Sequence, residues 1–203
     1  MFNREIEITE DNKDILFANA IIENLRYGII SLDTMFRGQL TEDFHGDEHT
    51  FYFFYIQSLL AAQGNIWNVL FNPFPRNREF SKRHVMKLRE RFGIDIKDYP
   101  LIGNKKFRNT NEHFDERYYQ FVDGLGDLNI LDANMDKEMR RKILSGFHLR
   151  TIDIENWLYI SYDRKGERII LDLKELRKEM FELLGEICSC DIRNESNIQK
   201  EKE

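Results

Sequence analysis

The chain is 203 residues long, 41% hydrophobic and 33% charged, with 13% aromatic residues and a net charge of −6. Such a length and balance support one well-filled core and exclude a disordered or fibrous chain. They also leave little room for a second full domain, so a single domain over residues 1–190 with a polar tail over residues 191–203 is expected.

In chain order, Met1-Phe2-Asn3-Arg4-Glu5-Ile6-Glu7 lacks the basic-then-apolar layout of a secretory signal. No run approaches the ~18 apolar residues that a membrane helix needs. A cytoplasmic protein with no membrane association is therefore expected. Ile15, Ala18, Ile22, Leu25, Ile29, Leu32 and Phe36 recur at three- and four-residue steps, which predicts one long amphipathic helix over residues 14–36, stopped by Gly38. Residues 41–46 read as a loop. The His45-Gly46-Asp47-Glu48-His49 run spaces two histidines around two acids, but it has no third ligand and fits a helix cap better than a metal site. Neither a metal nor an organic cofactor is expected.

Residues 49–71 are apolar almost all round, from Phe51, Phe53 and Phe54 to Leu70 and Phe71, and predict a central helix packed on several sides. Asp47 or Thr50 is its cap, and Asn72-Pro73-Phe74-Pro75 ends it. A basic helix over residues 78–91 follows, with Phe80, His84, Leu88 and Phe92 inward and Gly93 as its stop. From Arg76 to Arg108 there are eleven Lys/Arg against four Asp/Glu, a local +7 that leaves −13 for the remainder. A basic segment in an acidic chain marks either a local anion-binding face or a solvated helix side.

After a loop with Pro100 and Gly103, a further helix is predicted from residue 104 or 107 to 121. The glycines at 124 and 126 terminate it, since Gly124-Leu125-Gly126-Asp127 lacks the strand-turn-helix setting of a phosphate loop. A short helix over residues 137–144 comes next. The period then changes to two, and residues 151–154, 157–162 and 168–171 predict an antiparallel β meander. Trp157 and Tyr159 share one face there, for packing on the bundle or for stacking on bases. A last helix runs over residues 173–186. Cys188 and Cys190 are too few and too close for a disulfide framework and read as reduced thiols.

The chemistry-bearing stretch is Lys105-Lys106-Phe107-Arg108-Asn109-Thr110-Asn111-Glu112-His113-Phe114-Asp115-Glu116-Arg117. It gathers a permanent cation, an amide, a carboxylate and an imidazole within two helical turns. Arg offers a planar fork for phosphate and its developing charge. His titrates near neutrality and moves protons. On an ideal helix, residues five apart diverge by about 140° and ~7.5 Å. The pair therefore meets at one atom only if Arg108 lies at the helix start, or if a second copy contributes. Against this stands a plainer reading, in which Asn109 is a helix N-cap and Glu112 closes a capping box.

An Arg-Asn-x3-His run at the start of a late helix, in a helical bundle, resembles the HEPN superfamily, and the Glu-His-Phe-Asp-Glu-Arg continuation is similar to its bacterial members. The resemblance covers six residues of motif and a fold pattern over residues 14–121. It implies a mainly α, four- or five-helix bundle that dimerises through the motif helix. It also implies a metal-independent ribonuclease, often a toxin or antiphage defence effector. Carried over, Arg108 stabilises the transition state, Asn109 is the polar residue that follows it, and His113 transfers protons. Asp115 stands where the members paired with nucleotidyltransferase antitoxins often have Tyr, which argues against that subgroup. Arg83 and Lys87 on the basic helix, with Lys105 and Lys106, are the candidate RNA-backbone contacts. The competing readings are a non-catalytic homodimer that binds RNA or a regulatory protein partner, and a scaffold whose motif is only a helix cap.

Overall fold

The computed structural model describes residues 10–38, 47–72, 78–112, 130–131, 134–136, 147–163 and 165–200. Five helices occupy most of them: α1 Glu10–Arg37, α2 Glu48–Ile66, α3 Arg78–Phe92, α4 Lys105–Glu112 and α5 Leu173–Lys200. The strands are β1 Ile130–Leu131, β2 Asn134–Asp136, β3 Phe147–His148, β4 Thr151–Asp153, β5 Leu158–Tyr162 and β6 Arg168–Asp172. The protein is thus mainly helical with a small sheet near its C-terminal end. The helix predicted over residues 137–144 and the glycines at 124 and 126 lie outside the described residues.

The core is built where α1 packs on α2 and α5. Ala18, Ile21, Leu25, Leu32 and Met35 of α1 meet Phe51, Ile56 and Leu59 of α2 and Leu176, Met180 and Leu183 of α5. The buried stripe of α1 is rotated from the predicted one. Ile21 and Met35 are buried, Ile22 and Phe36 only partly so, and Ile15 is 50% exposed. Both stripes have the helical period, and contact with two neighbouring helices selected between them. At Gly28 an added Cβ would lie 2.7 Å from Met180 Sδ, so the missing side chain is what lets α1 and α5 approach there.

α2 opens on Asp47, whose Oδ1 accepts from the Thr50 N–H at 3.2 Å, so Asp47 and not Thr50 is the cap. Beyond Ile66 the backbone widens into a π turn over Trp67–Phe71, closed by Asn72 N–H donating to the Trp67 carbonyl at 2.8 Å. α3 ends at Gly93 (φ 69°), with Ile94 N–H reaching back to the Arg89 carbonyl at 2.9 Å, a Schellman stop.

β4, β5 and β6 form the expected antiparallel meander, and β2 adds to it in parallel alongside β4. Ile169 and Leu171 point inward from β6 while Arg168 and Ile170 are exposed. Asp172 Oδ1 accepts from Lys174 and Glu175 N–H, so the last strand runs directly into α5. Trp157 corrects the predicted strand boundary. It sits in the β4–β5 turn at φ 58°, a left-handed conformation that costs a non-glycine residue about 1–3 kcal/mol. Its ring offsets that strain by packing edge-on to Phe36 at 4.6 Å and near Tyr52 at 6.2 Å. Tyr159 is buried in the core, and Trp157, partly buried, packs against it.

Residues 14–37 of α1 are long and apolar enough, by length and composition, to cross a membrane, against the expectation that no run approaches this. Counting apolar residues missed it because Glu23, Asn24 and Arg26 interrupt the run, while its mean hydropathy stays high on either side of them. Its buried side nonetheless lies in the core described above. The rotated stripe is tested by truncation: Leu25→Ala should lower unfolding free energy by about 2–5 kcal/mol, and Ile15→Ala should stay within about 0.5 kcal/mol. Urea denaturation reads both, and equal losses would restore the predicted stripe.

Candidate functional site

α4 is described over Lys105–Glu112. Its place is set by the preceding loop, residues 99–104, which is pinned from three directions. Glu179 of α5, buried in the core, takes Leu101 N–H at 3.0 Å and Ile102 N–H at 2.9 Å on its carboxylate. Gln63 of α2 donates through Nε2 to the Ile102 carbonyl at 2.7 Å. The Trp67 indole donates to the Gly103 carbonyl at 3.0 Å. Every bond goes to main chain, as a loop drawn into the interior requires. Burial pushes the Glu179 carboxyl above its ordinary range, against the pull of the two N–H bonds. Tyr99, also buried, is pushed well up by burial and by its hydrogen bond with Glu186.

Asn104 caps α4, its Oδ1 accepting from Lys106 N–H at 3.0 Å, and Phe107 drives the first turn into the core. The capping-box reading is therefore corrected. Asn109 lies well inside the helix, half-buried, and caps nothing. Arg108 is placed in α4 by its backbone, while its side chain and all of His113 lie outside the described residues. Lys105 and Lys106 are exposed at the start of the same helix, and the Lys106 charge reaches Asp163 at the β5–β6 turn.

The basic helix is less free than its sequence implies. Asp14 of α1, 2% exposed, receives Arg91 at 3.1 Å and Lys87 at 3.3 Å on Oδ2, with His84 Nδ1 at 3.8 Å from Oδ1. Arg89 donates through Nε to the Leu70 carbonyl and lies over the Phe71 ring, closing the end of the π turn. Arg83 is exposed, and Lys87 keeps half its surface in solvent. His84 is nearly buried and lies 4.3 Å from the Phe17 ring. The Asp14 contacts were not legible, because an acid near the chain start and cations some seventy residues later share no spacing.

Among the described residues no cluster of His, Cys, Asp and Glu is fit to hold a metal. His49 is exposed in the first turn of α2, and His45 lies outside the description. Cys188 is a half-buried free thiol. Comparison with protein-family models, curated proteins and solved structures gives no match.

The loop clamp has a pH signature. A carboxyl with a folded pKa above its unfolded one contributes stability that is complete below the unfolded value and lost as pH rises through the folded value. Stability owed to Glu179 should therefore decline as pH rises from about 4.5. Glu179→Gln should flatten that decline in melting temperature. Glu179→Leu should cost about 1–3 kcal/mol for each N–H left bare. In the α1–α3 cluster, Asp14→Ala should cost about 1–3 kcal/mol, the worth of hydrogen bonds to a charged group, read by denaturant unfolding at low salt.

Proposed function

We propose that the chain is a metal-independent endoribonuclease of the HEPN type, a cytoplasmic homodimer whose cutting centre is Arg108, Asn109 and His113. A toxin or antiphage effector role goes with that reading. The observation that carries it is that Arg108 and Asn109, the first two residues of the Arg-Asn-x3-His run, lie on α4, with Asn104 as the cap of that helix. With the cap supplied elsewhere, the motif residues have no helix-starting task to explain them. The mainly helical bundle and the two exposed lysines at the start of α4 add support.

In the proposed reaction His113 removes the proton from an RNA 2′-hydroxyl, and the 2′-oxygen attacks the adjacent phosphorus. The bond to the 5′-oxygen breaks, and the departing oxygen takes a proton from the second copy's imidazole. The products are a 2′,3′-cyclic phosphate and a 5′-hydroxyl. Arg108 holds the charge that accumulates on the phosphoryl oxygens, and Asn109 orients the phosphate. Because Arg108 lies inside α4, a partner five residues further along the same helix diverges from it by about 140°. Convergence on one phosphate therefore calls for a two-fold pair of chains.

The test is cleavage of single-stranded RNA by purified protein in EDTA, beside folded Arg108→Ala and His113→Ala variants. Wild type should cut to cyclic-phosphate ends, and His113→Ala should lose about 10²–10⁴-fold in rate. Equal cleavage by all three would place the activity elsewhere. Silence from wild type across several RNAs would favour a non-catalytic dimer that binds RNA or a protein. Lys105→Ala with Lys106→Ala should also reduce the salt dependence of RNA binding, by about one unit of slope for each lost phosphate contact.

A further inference from the structure

Between Glu48 and Arg76 the sequence contains no Asp, Glu, Lys or Arg. Much of that stretch is buried, but the outward side of α2 is not: Phe54, Gln57, Ala61 and Asn65 are exposed. A solvent-facing helix side without a single charge is unusual, since exposed helix faces carry the charged residues of soluble domains. α1 borders it with Tyr27 and Ile30, and these two, like Phe54, are more than half exposed. Between the two helices lies a hollow of about 380 Å³, floored by small side chains that include Ser31, Ser58, Ala61 and Ala62.

The polar groups of the hollow are already satisfied. Ser31 Oγ donates to the Tyr27 carbonyl at 2.8 Å and Ser58 Oγ to the Phe54 carbonyl at 3.0 Å. Asn65 Nδ2 donates to Asn24 Oδ1 at 2.9 Å, and Asn24 Nδ2 donates to the Ala20 carbonyl at 2.7 Å. An apolar side chain entering the hollow therefore strips no donor of its partner and meets little desolvation cost.

We infer that this α1–α2 face is a self-association surface, whose occupant is a second copy of the chain across a two-fold axis. Three features select a copy over another partner. Large exposed side chains and a small-residue hollow occupy one patch, which is what an isologous interface needs, since each copy supplies both knob and hole. The centre is uncharged, so no residue faces its own like charge across the axis. The rim on α1 carries one acid and one base a turn apart, Glu23 and Arg26, both exposed. An axis beside Asn24, with the two α1 helices antiparallel, sets Glu23 of each copy against Arg26 of the other. The surface is separate from the α4 motif, and the inference does not depend on the ribonuclease reading.

Sedimentation velocity of the full chain from about 1 to 100 µM tests it. Wild type should reach twice the 24.5 kDa chain mass if this face alone pairs the chains, and four times if α4 adds a second two-fold contact. Ala61→Arg, at an exposed position and with an unchanged melting temperature, should halve whichever mass the wild type reaches. Glu23→Lys and Arg26→Glu should each weaken the dimer by about two- to five-fold. The double swap should return it to near the wild-type value, which a merely structural effect would not do. Should Ala61→Arg fail to fold, Ile30→Glu replaces it. A wild type that stays monomeric at 100 µM would overturn the inference, as would a folded Ala61→Arg whose mass equals that of the wild type. Co-sedimentation of monomer with phosphatidylcholine vesicles, lost in Ala61→Arg, would overturn it by making the occupant a lipid surface.

Discussion

A carboxylate inside the protein, that of Glu179, holds two consecutive backbone N–H groups of a loop that has no secondary structure of its own. Consecutive N–H groups aimed at one point make an anion-binding concavity, and here the anion is supplied from within the chain. The loop is thereby fixed to α5, while Gln63 and Trp67 fix it to α2. α4 begins where that loop ends and contributes one large apolar anchor, Phe107. The placement of the Arg108 segment thus depends on side chains from two long helices distant in sequence. Burial raises the Glu179 carboxyl above its ordinary range, and the loop it holds fixes the start of α4.

Charge is sorted rather than spread. Residues 76–108 concentrate the cations, yet several of them serve the fold: Lys87 and Arg91 gather on Asp14, and Arg89 closes the π turn. Arg83, Lys105 and Lys106 are exposed. On α2 the reverse holds, and the exposed residues past its first turn carry no charge.

Legibility in the sequence followed period and punctuation. The long helices, apart from the far end of α5, which runs to Lys200 and not to residue 186, the three meander strands and the stops at Gly38 and Gly93 were readable, because each depends on local spacing or on a residue type with a particular backbone freedom. β1, β2 and β3, at two or three residues each, carry no readable period. Trp157 was assigned to a strand because alternation cannot register a left-handed turn. Of the candidate site, the residue types of the Arg108–His113 run were plain. Asn109 as a cap was a fair local reading that failed because Asn104 caps first.

Sequence by itself determined the class of fold, the position of Arg108 and Asn109 on a helix, the basic segment and the uncharged span, since these are properties of neighbours along the chain. Only the tertiary structure decided which face of α1 is buried, that Asp14 gathers the cations of α3, and that Glu179 clamps the loop before α4. It also decided that an uncharged helix side is left facing solvent. Those outcomes join residues about seventy or more positions apart, or turn on which side of a helix its neighbours cover, and neither leaves a periodic trace in the chain.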